Sequence, residues 1–294
     1  MEPPRSDTAG DLARRRMDSP FIRTGSIVLA TNGAIRANTE PLSPKRAPDM
    51  LTKNAVLTID DSPSIHMAER VAFLVNKGIS AVWFCRGDYL EERPDFAIQA
   101  IKAGHVLGNH SYDHAYFSKL SLEQAFEQID RTDKLIEGLH EKAGVPRRIK
   151  CFRFPYEAKV GSPEHHAALQ AGLRERGFVP LDMDGVTSAS YLAQRAGNDV
   201  SWFWTYDTED WKLVGPDAPG ARERLADALR RMDRDEPEAD CGLNRSGTEI
   251  VVMHDHGHTG AQWQSIVERL LAKGLRFTIS GLTKIDRANP RAGL

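Results

Sequence analysis

From Asn54 onward, short apolar runs alternate with stretches of helical periodicity, and this rhythm restricts the fold more than any other feature of the chain. Strand-like runs fall at Ala55–Ile59, Ile79–Phe84, His105–Gly108, Lys150–Phe154, Gly177–Leu181, Val200–Tyr206, Glu249–Met253 and Leu275–Ile279. Between them, Ile65, Ala68, Val71, Ala72 and Val75 follow a 3.6-residue spacing, as do Leu122, Phe126, Ile129, Leu135 and Leu139. Ser121 with Gln124 three residues on has the form of a capping box that opens a helix. Strand–helix alternation of this length predicts a parallel sheet covered by helices. A single α/β domain, a (β/α) barrel of seven to eight strands that is distorted or incomplete, accommodates it better than two separate domains. A surface helix over Ala221–Met232 is expected in the polar stretch between Lys212 and Gly247.

Residues 1–53 read differently, as a disordered or weakly ordered extension ahead of the strand–helix domain at 54–294. Arg14-Arg15-Arg16 precedes a small apolar patch at Ser26–Ala30, but Met17–Thr24 separates the two. The patch is also shorter than the roughly 7–15 residues of an export signal's apolar region, so no cleavable signal is expected, and Met50 offers an alternative start. No run reaches the roughly 18 apolar residues of a membrane-spanning helix. Lys plus Arg (39) nearly balances Asp plus Glu (41), so no global field favours nucleic acid. The 3 cysteines, Cys85, Cys151 and Cys241, are too few for a disulfide framework and read as buried free thiols.

In an α/β barrel, functional side chains emerge where strands end, because the loops there converge on one mouth. Five of the strand ends here carry ligand or acid/base residues: Asp60-Asp61, His110 to His114, Arg153 to Tyr156, Asp207 to Trp211, and His254-Asp255-His256. His110 and His114, four apart, can aim both imidazoles at one ion from a helical turn or a tight loop. Either Asp60 or Asp61 is the natural third ligand, and two histidines with one carboxylate leave open positions on a divalent cation. Adjacent aspartates on an extended strand point to opposite faces, which divides their labour: one on the cation, one beside it as a proton acceptor.

In order, these residues resemble the five short motifs of the polysaccharide deacetylases, the family four carbohydrate esterases with a NodB-like catalytic domain. They are Thr58-Ile59-Asp60-Asp61-Ser62, His110 to His114, Arg153-Phe154-Pro155-Tyr156, Asp207 to Trp211, and Val252-Met253-His254. The resemblance spans about Ala55 to Ile279. It implies that Asp60 is the general base, with Arg153 orienting it and keeping it ionised. It implies that Asp61, His110 and His114 bind a divalent metal, zinc foremost, with cobalt, nickel or manganese able to substitute. It further implies an oxyanion contact from the backbone N–H of Tyr156, beside Pro155, and a small acyl pocket walled by Trp211. His254, supported by Asp210, becomes the acid that protonates the leaving amine.

The substrate implied is an acetylated, GlcNAc-containing glycan of the chitin or peptidoglycan type, with no nucleic-acid partner. The same motifs serve a second reading, hydrolysis of a small cyclic or linear amide, and a third, a carbohydrate-binding homologue that has lost catalysis. The missing export signal suggests the cytoplasm, whereas a cell-wall glycan would put the protein outside the membrane. Ile59 and Ser62 depart from the family's customary Phe and Gly, so a different turn is expected after the first strand. His256 and His258 read as exposed-loop residues. His66, His105, His140, His165 and His166 read as structural, and Trp83, Trp202 and Trp204 as core. Tyr112 and Asp113 read as rim or supporting residues.

Overall fold

A computed structural model describes residues 53–156, 161–213, 223–234 and 247–279, together with Leu243 and Leu282. The extension read at residues 1–53 lies outside them except for Lys53, which opens the first strand. In chain order the elements are β1 (Lys53–Ser62), α1 (Met67–Asn76), β2 (Val82–Cys85), α2 (Gly87–Glu92), α3 (Pro94–Lys102), β3 (Val106–Asn109) and α4 (Leu122–Ala143). There follow α5 (Pro163–Glu175), α6 (Ala189–Ala196), β4 (Tyr206–Asp207), α7 (Leu225–Arg234), β5 (Glu249–His254), α8 (Gln262–Ala272) and β6 (Leu275–Phe277).

The fold is α/β. Every strand pairing is parallel, in the order β3-β2-β1-β5-β4, with β6 against the start of β1. Parallel strands are buried on both faces and read as continuous apolar runs. β1 shows this, since from Ala55 to Ser62 every residue is buried. Side chains alternate across the sheet. Ala55, Leu57, Ile59, Trp83, Leu107, Val251 and Met253 pack on the helix layer with Met67, Leu74, Ala100, Trp263 and Leu270. Val56, Val82, Phe84 and Ile250 meet Cys151, Leu181 and Trp202 on the other face. Each fully buried aliphatic or aromatic side chain contributes about 1.5–3 kcal/mol, so this two-sided packing fixes β1 as the axis of the sheet.

The sheet has 6 strands among the described residues, fewer than the seven or eight expected. Lys150–Phe154 contributes one parallel bridge, Phe152 to Asn109. Gly177–Leu181 gives the Lys150–Phe154 run one backbone bond, Val179 N–H to the Lys150 carbonyl at 2.9 Å. Prolines account for this: Pro155 and Pro180 have no N–H to give a ladder and end each run. Irregular backbone bonds carry on instead, from Trp202 N–H to Phe152 O (2.7 Å) and from Thr205 N–H to Ile250 O (2.8 Å).

Helix α4 begins as its sequence predicts. Ser121 Oγ accepts from Gln124 N–H at 3.2 Å and Gln124 Oε1 accepts from Ser121 N–H at 2.9 Å. Helix α1 is rotated from the expected phase. Ile65 and Val75 are exposed, and the inward face is Met67, Arg70, Val71 and Leu74. The surface helix expected from Ala221 is α7, and the beginning of the expected range falls outside the described residues. Cys85 and Cys151 are buried free thiols, while Cys241 lies outside the described residues. No helix among the described residues is long and apolar enough to cross a membrane.

Candidate active site

The C-terminal ends of β1, β3, β4 and β5 open into a cavity of about 680 Å³ lined by Asp60, Asp61, His110, His114, Tyr156, Trp211 and His254 among others. Asp60 ends the column Val56, Thr58, Asp60 that alternation places on the inner face. Alternation would then turn Asp61 away, but it does not. Three residues of β1 after Ile59 oppose two of β2, since Ile59 pairs with Trp83 and Ser62 with Cys85. Within this bulge Asp61 takes a left-handed φ of 60°. Both carboxylates therefore reach the same cavity, which corrects the expectation of opposite faces: His110 Nε2 is 3.8 Å from Asp60 Oδ2 and 3.9 Å from Asp61 Oδ1.

Left-handed backbone is uncommon outside glycine and costs of order 1–3 kcal/mol where it occurs in a sparsely populated region. Asp61, Ser111, His114, Tyr156 and Glu209 all adopt it, each on a loop at this mouth or beside one of its residues. The packing around the mouth holds a local geometry that each residue alone would not choose.

His110 and His114 sit on a loop after β3, not on a helix. His110 donates Nδ1–H to the Arg153 carbonyl at 2.9 Å, which fixes its tautomer and leaves the Nε2 lone pair facing the carboxylates. His114 Nε2 stands 3.1 Å from Asp61 Oδ1. Burial, with His110 alongside, lowers the His114 pKa to about 4, so its imidazole is neutral near neutral pH. Asp61, His110 and His114 each offer one donor atom within 4.8 Å of the others. Burial opposes ionisation of Asp61, but a hydrogen bond from His256 and the nearby imidazoles outweigh it and hold the carboxyl far below its usual range. Asp61 Oδ1 is buried and accepts no hydrogen bond, an orphaned acceptor that faces two imidazole nitrogens. An ionised carboxylate with two imidazoles suits a borderline divalent cation such as zinc.

On one flank, Asp60 Oδ1 accepts from Arg153 Nη1 at 2.7 Å. Arg153 is wholly buried and anchored by Thr58 Oγ1 (2.8 Å) and the Trp202 carbonyl (3.2 Å), so its guanidinium has little freedom. On the other flank, His254 Nδ1 stands 3.0 Å from Asp210 Oδ1, and His254 N–H donates to Asp210 Oδ2 at 2.9 Å. Burial disfavours the imidazolium, but the Asp210 carboxylate more than offsets it and pushes His254 up to about 10. Asp210 itself is held low despite its burial, chiefly by the hydrogen bond with His254.

Pro155 is buried, and Tyr156 stacks on Tyr116 at 3.9 Å and meets the His114 ring at an inclination of 64°. Trp211 is 37% exposed at the rim. Tyr112 and Asp113 do not line the cavity: Tyr112 lies under Arg131, and Asp113 N–H bonds to Gln128.

Six cavity residues carry no catalytic or binding role in the sequence reading: Arg86, Tyr89, Phe154, Trp204, Asp207 and His256. Trp204, read as core, lines the cavity, whereas Trp83 and Trp202 are buried. His256, read as an exposed-loop residue, donates from Nε2 to Asp61 Oδ2 at 2.8 Å. The i, i+2 spacing from His254 was the signal, because alternate residues leaving a strand share a face. Asp207 is kept from ionising easily by its burial. His66, His105, His140, His165 and His166, read as structural, do not line the cavity: His105, for example, accepts from Ala81 N–H, and His140 bonds the Val145 carbonyl.

Fold and site together define an α/β protein whose strand ends bring a cluster of two histidines and one carboxylate between an Asp–Arg pair and a His–Asp pair. Residues 48–175 match the family model described as polysaccharide deacetylase, and over that stretch the chain is similar to that family. It is 25% identical over 222 residues to a bifunctional xylanase/xylan deacetylase of Cellvibrio japonicus, covering 74% of this chain and 26% of that protein. It is 24% identical over 227 residues to the peptidoglycan-N-acetylglucosamine deacetylase PgdA of Listeria monocytogenes, covering 76% of this chain and 37% of the relative. The chain thus spans well under half the length of these two relatives. In fold it is similar to a family 4 carbohydrate esterase from Streptomyces lividans solved with acetate, at 23% identity and a TM-score of 0.51, covering 79% of this chain and 95% of that one.

Proposed function

We propose that this protein is a divalent-metal-dependent deacetylase that removes N-acetyl groups from a GlcNAc-containing polysaccharide or oligosaccharide. The observation that carries the reading is the orphaned Asp61 Oδ1 beside His110 and His114, with a base-type pair and an acid-type pair on either flank. Asp61, His110 and His114 would hold the ion, zinc foremost. A bound divalent ion polarises a carbonyl oxygen and lowers the pKa of a coordinated water toward about 7.

The remaining chemistry belongs to the chain. Asp60, held by Arg153, takes the proton of the attacking water. The backbone N–H of Tyr156 faces the carbonyl oxygen as negative charge develops there. His254, charged beside Asp210, gives its proton to the departing amine, so base and acid act from opposite flanks of the scissile amide. Trp211 walls the space for the acetyl methyl. Exposed Tyr156 and Trp211, with Trp204, offer flat apolar faces to a sugar at the rim. The relatives' names differ in glycan, xylan in one and peptidoglycan N-acetylglucosamine in the other. The choice of GlcNAc rests on the amide chemistry that the His254 acid serves, because an amine is the leaving group that needs protonation.

The test is acetate release from chito-oligosaccharides by zinc-loaded protein, run beside ring opening of small cyclic imides. Acetate with no imide turnover supports the reading. Imide turnover alone makes the protein an amidohydrolase on the same site, and glycan binding without either makes it a lapsed homologue.

A further inference from the structure

His256 lies two residues beyond His254, and no step above uses it. Its Nε2–H donates to Asp61 Oδ2 at 2.8 Å, while the other oxygen of the same carboxylate faces His114 and His110. The three donor atoms that lie within 4.8 Å of one another do not include a His256 nitrogen. His256 therefore addresses the carboxylate rather than the ion position.

The ring packs against two other imidazoles. It lies between His254 and His258, with centroids 5.1 Å and 5.2 Å away and planes inclined by 27° in each case. Its backbone carbonyl accepts from Arg70 Nη2 at 3.0 Å and from Thr259 Oγ1 at 2.9 Å. Arg70, rooted in α1, also pairs with Asp255, and Asp255 is hydrogen-bonded by Ser64 N–H (2.6 Å) and Ser64 Oγ (2.8 Å) on the loop after β1. One buried network therefore fixes both the loop that leaves Asp61 and the loop that brings His256 to it. The opposite ring nitrogen, Nδ1, is buried and has no hydrogen-bond partner, so Asp61 is the polar group that the ring serves.

A left-handed, bulged aspartate has no sheet neighbour to set its side-chain torsion. We propose that His256 is the positioning residue for Asp61. By donating to Oδ2 it fixes the carboxylate plane and keeps Oδ1 turned toward the two imidazoles, and so sets the affinity of the site for its cation. This rests on the metal-site reading above. Hydrogen-bonding partners of metal ligands are typically worth about 10–100-fold in metal affinity.

The experiment titrates Zn2+ into the metal-free full-length chain against a chromophoric chelator, for the parent and for His256→Phe, His256→Gln and Asp61→Ala. Phe keeps a ring for the stack without a donor; Gln keeps an N–H donor without the ring. The expected result is an affinity about 10–100-fold weaker for His256→Phe and largely restored in His256→Gln. His256→Phe binding zinc as tightly as the parent, or His256→Gln failing as badly as His256→Phe while both keep the parent's melting temperature, overturns the proposal. Parent-like zinc binding by Asp61→Ala would instead overturn the metal-site reading, which separates the two failures.

Discussion

Asp60 and His254 are direct register partners across the β1–β5 ladder, so a carboxylate and an imidazole leave adjacent strands at the same level. Each is backed by a buried group of opposite character, Arg153 behind Asp60 and Asp210 behind His254. Strand pairing thereby sets the spacing of the two side chains, and Asp210 favours the charged form of His254.

Asp60→Asn is expected to keep the bound metal and lose turnover, with kcat lower by about 10²–10⁴-fold. Metal content by elemental analysis and kcat on a chito-oligosaccharide check the two halves separately. A near-normal kcat would remove Asp60 from the base role.

Asp210→Asn takes away the carboxylate that raises His254 to about 10. The alkaline limb of the kcat/KM profile should then move to lower pH. The same shift has a stability signature. A histidine whose folded pKa is raised adds stability that is fully present below its unfolded value near 6.5 and is lost as pH rises through about 10. The parent's unfolding free energy should therefore decline across that window, and Asp210→Asn should flatten the decline. An unchanged slope would place the source of His254's charge elsewhere.

Arg70→Met leaves the Asp255 carboxylate buried without its cation, at a cost of about 3–5 kcal/mol. Adding Asp255→Asn should recover part of that loss, because no uncompensated charge then remains. Urea unfolding of the parent, both single variants and the double variant measures the coupling. Simple additivity of the single losses would contradict a direct pair.

Much of this architecture is legible in the chain. β1 reads as a strand because its apolar residues are continuous, and α4 because Ser121 and Gln124 cap it as their spacing requires. The strand-end clusters also lead to the cavity without any pairing information. Features that oppose a local pattern are harder to read. The bulge at Asp60-Asp61 depends on the register of β2 against β1, a tertiary relation. The inward face of α1 carries Arg70, and hydrophobic periodicity is blind to a buried charge whose partner lies far along the chain. Lys150–Phe154 and Gly177–Leu181 have strand-like composition, yet a proline at or beside each deprives the ladder of donors. His256 was visible through its spacing from His254, but only Asp61's left-handed turn brings a partner within its reach.

Trp211→Ala is expected to raise KM for a chito-oligosaccharide by about 2–10-fold, the equivalent of roughly 0.5–1.5 kcal/mol of aromatic contact. A smaller change in kcat should accompany it. An unaltered KM would take the rim position of Trp211 out of substrate binding.

The most direct measurement is acetate release from a chito-oligosaccharide by chelator-stripped protein as Zn2+ is titrated back, with Asp61→Ala alongside. The account predicts no release from the stripped protein, recovery that saturates near one ion per chain, and no recovery in Asp61→Ala. Full acetate release from stripped protein, or recovery in Asp61→Ala matching the parent, would contradict it.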